Sequence, residues 1–386
     1  MSTVVAFLLL LFAFLAWVAL PFLPALLELV RPRDASPLYG VGNDAGELTW
    51  FADGFRAYAA SVGLSSELDT RYGPPLERGT SAPISLEPLT VFQLRDSTNV
   101  RVLRSVNAAR ELANIPGLPR SGDRPPDDLR DIIVIDVDAQ LPDKLAVDRE
   151  LYARSDFVGG VGMRVRALLA SRRADLAVGT IIVRWVHADG QLCVGRGSTL
   201  FGRATSRTEM RLARDVRFER IMAPRIIVGS EDDEFVPPPV AELLHGEPWA
   251  RPMTDRITQM SADTLRVRGD LIVPSGTIVS GNLIVLGSLV LERGSQMHGS
   301  AKARAGIQLV GENIVTGSLT AREDLHIGER SRVAGPVIGE RVVHVHANAF
   351  IGTPNGQTTV TAPQIVLTRG STIFGAVSAR EWGKTE

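Results

Sequence analysis

The chain has 386 residues, 45% of them hydrophobic, with a single cysteine and a formal net charge of −1. Near-neutrality without a basic stripe excludes a general attraction to nucleic acid. One cysteine, Cys193, excludes an intrachain disulfide framework and a multi-cysteine zinc site, and it fits a reducing compartment.

Residues 1–30 open with the uncharged apolar run "VVAFLLLLFAFLAWVAL" from Val4 to Leu20, long enough to span a bilayer. It lacks the basic n-region, short apolar core and small-residue cleavage site of a signal peptide, so a retained transmembrane anchor is expected. Arg31 and Arg33 follow the run, which places the bulk of the chain in the cytoplasm by the positive-inside rule. Residues 31–131 read as a small, loop-rich α+β region next to the membrane. It has one amphipathic helix around Trp50, Phe51, Phe55, Tyr58 and Val62. "DIIVIDVDA" (131–139) is a strand that opens or caps the repetitive part of the chain.

From residue 132 the signal is a repeat. Counting in sixes from Val267 gives Val273, Val279, Val285, Leu291, Met297, Ala303, Leu309, Val315, Ala321, Ile327, Val333, Gly339 and Val345, all apolar except Gly339. A second apolar series sits two residues earlier, at Leu265, Leu271, Leu283, Leu289 and onward, and the period of 2 marks strands pointing into one core. Six residues make one short strand and one turn. Three such sides return the chain to its start after eighteen, the spacing of Gly281, Gly299, Gly317 and Gly335. The expected fold is therefore all-β, a three-sided parallel β-helix with coils ~4.8 Å apart. Thr277, Ser295, Asn313 and Ser331 recur at one inward place, so one corner is narrow or polar and self-bonding.

"GSTIFG" (370–375) closely copies "GSTLFG" (197–202), so coils lie on both sides of a proline-rich excursion. The chain divides into a first β-helix segment at 132–230, an excursion at 231–258 and a second β-helix segment at 259–382. Phe235 and Trp249 in the excursion are candidate partner contacts, and deleting it should leave the solenoid intact.

The run "VSGNLIVLGSLVLERGSQMHGSAKA" (279–303) resembles the bactofilins, polymer-forming bacterial cytoskeletal proteins with a right-handed three-sided β-helix core. The resemblance rests on a "V-x-G-x-L-x-V" repeat and covers about residues 262–382, with a weaker copy at 160–230. It implies assembly through β-helix ends without a nucleotide, and work at the bacterial inner membrane as a scaffold for cell-envelope enzymes. Only "REWGKTE" follows Ala379, so unless Trp382 folds over it the C-terminal coil is expected to be an open edge, through which copies self-associate by way of Val377.

The six-residue period also resembles the left-handed hexapeptide-repeat acyltransferases, whose general base is a histidine beside a loop between subunits. That alternative turns attention to His298, His344 and His346. His326 and His344 are eighteen apart and should stack on one outer face, where a metal would need a further acidic ligand. Surface solvation is the plainer reading of these rings, and packing that of His187 and His245. "GGVG" (159–162) is a coil corner and not a phosphate cradle. No catalytic, cofactor-binding or metal residue is assigned, and no cofactor is expected. The sequence reads as a single-pass, partner-binding scaffold and not as an enzyme.

Overall fold

A computed structural model describes residues 49–72, 89–94, 96, 98–104, 131–136, 140–229, 247–249 and 256–386. The expected anchor at residues 1–30 lies outside them, as do Phe235 and His245. Among the described residues no helix is long and apolar enough to cross a membrane.

The strands form a parallel β-solenoid of about 13 turns. In its C-terminal half, register follows the eighteen-residue period on three faces. Leu265 stacks on Leu283, Ala301, Leu319 and Val337 on one face, and Leu271 on Leu289, Ile307, Leu325 and Val343 on the next. Val279, Met297, Val315, Val333 and Ile351 stack on the third. Both inward series are buried throughout, including Gly339. Stacking like on like lets each rung repeat the packing of the rung below, so a short repeat specifies a long core.

Two columns run beside this core. At one corner Gly299, Gly317 and Gly335 lie so close to the rung beneath that a Cβ on any of them would fall 2.2–2.6 Å from backbone atoms of the preceding column glycine. Lack of a Cβ, more than a positive φ, is what this corner requires. At another corner the fully buried Ser295, Asn313 and Ser331 form the expected polar ladder. The Asn313 amide donates to Ser295 Oγ at 3.0 Å, its Oδ1 accepts from the Gly311 N–H at 2.8 Å, and its own N–H donates to Ser331 Oγ at 3.2 Å. Burial of these groups is tolerated because each has a partner.

The N-terminal half is a second stack of parallel rungs, built from Ala146–Ala153, Arg164–Ala170, Ile181–Ala188, Thr199–Ser206 and Arg217–Val228. Parallel pairing reaches back beyond its expected start: Asp131–Ile135 pairs with Ala146–Ala153 and with Asn99–Leu103, and the latter turns back on Leu89–Gln93 as an antiparallel edge. The run "IIVI" lacks alternation because both its faces are covered. Ile133 and Ile135 point into the solenoid core, whereas Ile132 and Val134 face a second core under two helices.

Those helices are α1 (Trp50–Ser61) and α2 (Leu64–Tyr72), where one was expected. Gly63, at φ +74°, breaks them apart. They bury Ala52, Phe55, Ala59, Val62, Leu64 and Leu68 against the outer wall of the first stack, at Ala167, Leu169 and Trp185. Trp50, expected on the buried face, is 63% exposed, because the stripe at 52, 55, 59 and 62 meets the wall instead. Polar ties secure the packing. Arg154, almost fully buried, bridges Asp136 of the stack to Asp69 of α2, and Arg56 of α1 reaches Asp189 at 2.7 Å.

The two stacks meet end to end. The last strand of the first, Arg217–Val228, pairs antiparallel with the last strand of the chain, Thr372–Thr385, around a whole coil: Arg217 opposite Lys384, Ile221 opposite Val377, Ile226 opposite Ile373. Phe218 lies opposite Gly383, and its ring fills the space where a Cβ on Gly383 would sit, 2.2 Å away. Thr385 is buried in the seam, accepting from the Val216 N–H and donating to the Ala213 carbonyl. The expected open C-terminal edge is thus closed within the chain. Val377 is fully buried, because the first stack offers a complementary apolar coil whose unpaired backbone groups need the same partners.

Both stacks climb toward this seam from opposite sides, so among the described residues the strand direction between the two stacks reverses there. The described residues of the excursion lie at the far end of the second stack. Glu247–Pro248 pairs with Thr277–Ile278, the Trp249 N–H donates to the Ile278 carbonyl at 2.9 Å, and Trp249 packs on the core. Ile257–Ser261 then folds antiparallel onto Thr264–Val267. Trp249 is a cap on the first coil, a role the proline-rich sequence around it does not announce.

Candidate functional site

Outward residues of a parallel, in-register solenoid line up in columns, and two such positions on one strand lie two residues apart. His326 is outward between Leu325 and Ile327 and pairs in register with His344, one rung on; His346 is the next outward residue after Val345. The spacing i, i+18, i+20 brings three imidazoles together. The rings of His344 and His346 stack at 4.1 Å, and each lies 5.8 Å from His326. One ring nitrogen from each can be chosen so that all three lie within 4.8 Å of one another, and all three residues are half-buried.

The surroundings of His344 and His346 favour neutral rings. Burial, then the neighbouring His346 and His326, pushes His344 down to about 4. Burial first, and His326 second, also lowers His346. His344 Nε2 lies 3.3 Å from Thr368 Oγ1. The carboxylates of Glu329 and Glu386 act on His346, and Asp324, held low chiefly by its hydrogen bond from Arg341, stands beside His326. Lys384 is also near, but it is paired with Glu386 at 2.6 Å.

The other candidate residues are dispersed. His298 is exposed at the end of Gln296–His298, on another face. Cys193 is half-buried on an outward position, 3.6 Å from a guanidinium nitrogen of Arg173. Gly160 is a corner, where a Cβ would meet the Pro142 carbonyl. Grooves of about 410 and 370 Å³ open beside the seam; one is lined by Arg217, Trp382, Gly383 and Lys384, the other reaches Gly197 and Asp215, and among the described residues no histidine lines either.

His187 is buried under α1, with Nδ1 2.6 Å from Thr205 Oγ1 and Nε2 3.4 Å from Asp189. Burial, then the charge of Arg56, lowers its pKa despite the opposing carboxylate of Asp189, while Arg207 adds to the lowering. A histidine whose folded pKa is depressed stabilises the native state fully above its unfolded value, about 6.5, and progressively less as pH falls toward the folded value. Denaturant midpoints of the wild type should therefore fall from pH 7.5 to pH 5. His187→Gln, which keeps a polar group toward Thr205, should reduce that fall. An identical pH slope in both proteins would remove His187 as a contributor.

No protein-family model, curated protein or solved structure matches the chain. The sequence signal for the histidine trio was present as two separate pairs, His326 with His344 and His344 with His346. Only their joint spacing identifies the cluster.

Proposed function

We propose that the chain is a membrane-anchored, partner-binding scaffold of bactofilin type, holding cell-envelope enzymes at the cytoplasmic face of a bacterial inner membrane. The observation that carries this reading is the seam. It turns two β-helices into one rod with a continuous core and long regular outer faces, a shape suited to displaying partners along its length. The apolar run at residues 4–20 supplies the anchor in this reading. Because the C-terminal coil is occupied by Arg217–Val228, partner binding along the sides takes precedence over polymerisation through that end.

The test is localisation of a fluorescent fusion in a bacterial host, with and without residues 1–30, alongside proximity labelling from the rod. The scaffold reading expects a membrane-bound full chain, a diffuse truncated one, and labelled envelope-synthesis enzymes only when the anchor is present. A full-length chain that is diffuse, or that acetylates a small acceptor from acetyl-CoA, would overturn it.

A further inference from the structure

We propose that His326, His344 and His346 form a binding site for a divalent transition-metal ion of the zinc type, with a fourth coordination position left for water or for a donor from a partner. The inference stands apart from the scaffold reading and needs neither an anchor nor a partner.

Geometry carries it. Three imidazoles are a recurrent protein ligand set for such ions, and a tetrahedral centre with bonds of about 2.0–2.1 Å brings its nitrogens to about 3.3 Å from one another. The nitrogens here lie within 4.8 Å before any ion draws them in, and ligation would require the stacked rings of His344 and His346 to turn until the in-plane lone pair of each points at one ion. The backbone needs no change, because the rungs bearing His326 and His344 are fixed by in-register pairing at Leu325–Val343 and Ile327–Val345. Such fixed ligands lose little conformational freedom on binding.

His344 Nε2 meets the Thr368 hydroxyl, which can serve as the outer partner that orients a ligating imidazole. With Thr368 on one nitrogen, the other nitrogen of His344 is the one left to ligate. The carboxylate of Glu329 acts on His346 and offsets part of a dication's charge, whereas Glu386 is paired with Lys384. Soft thiolates are lacking, since Cys193 is on another rung, and the all-imidazole set favours zinc, copper or nickel over calcium or magnesium.

The experiment uses the untagged full chain, since a polyhistidine tag would supply competing ligands. Zinc ion is titrated by calorimetry, and cobalt ion is used as a visible reporter of four-coordinate geometry. The expected result is one zinc per chain and intense tetrahedral cobalt bands that zinc abolishes. His326→Ala and His346→Ala should each weaken zinc by more than about 100-fold, the upper range for losing even an outer-shell partner. His298→Ala should leave the affinity unchanged. Circular dichroism and melting without metal keep folding separate from binding, and His346→Gln replaces His346→Ala if the latter destabilises the coil. Lack of stoichiometric binding would overturn the proposal. So would binding that survives both substitutions, or falls equally in His298→Ala, which would show an adventitious ion only.

Discussion

Val377→Asp should lower the stability of the folded chain by about 4 kcal/mol or more, read as a large fall in the denaturant midpoint. Val377 is fully buried in the seam opposite Ile221, with Ala376 and Ala379 beside it in the same strand. A carboxylate there is cut off from water without a partner cation in the pairing register, the setting in which single substitutions reach the extreme of the usual range. Val377→Ala, which removes two methyl groups and introduces no charge, should cost about 2 kcal/mol and keep the seam closed. Once parted, Arg217–Val228 and Thr372–Thr385 each present an unpaired edge, and the substituted strand would bury the same charge in a seam with a second chain, so exchange between chains does not rescue the loss. A Val377→Asp protein with wild-type stability would mean that the seam contributes nothing to the fold.

Deleting residues 231–256 should prevent the seam from closing within one chain. The first stack ends at Val228 on the seam, whereas Ile257 begins the second stack at its far end, roughly 35–40 Å away at about 4.8 Å per rung. Covering that distance takes about 12 extended residues. After the deletion only Gly229 and Ser230 remain between them. The expected product is an intertwined dimer whose seams form between chains, or a species with one stack melted, detected by light scattering and a split unfolding transition. Replacing the segment with a flexible linker of equal length should restore the wild-type assembly state. Its stability should stay below wild type, because Trp249 and the Glu247–Pro248 pairing no longer cover the first coil. The distance between the described ends thus leads us to expect that removing the excursion disturbs the solenoid. A deleted chain that keeps the wild-type assembly state and one cooperative transition would refute this topology.

What was legible in the sequence is what repeats. The six-residue apolar series from Val267 to Val345, the glycine column through Gly299 and Gly317, and the ladder through Ser295 and Asn313 each arise from one rung resting on an identical rung. In such a stack a contact between residues eighteen apart is almost a local fact, and periodicity in the chain becomes periodicity in space.

Features that occur once were decided only by tertiary structure. Nothing near Val377 signals that Ile221, over one hundred residues earlier, will face it, because two apolar coil ends look alike whether they meet solvent, another chain or each other. The helices on the outer wall were half legible: their apolar positions showed, but which stripe is buried depended on Ala167, Leu169 and Trp185 across the interface. The histidine trio lies between the two cases. Its three positions were fixed by the repeat, since pairing and alternation set where His326, His344 and His346 point. That the three rings converge on one place is a fact of side-chain packing on neighbouring rungs, which depends on distances in space that sequence spacing alone does not contain.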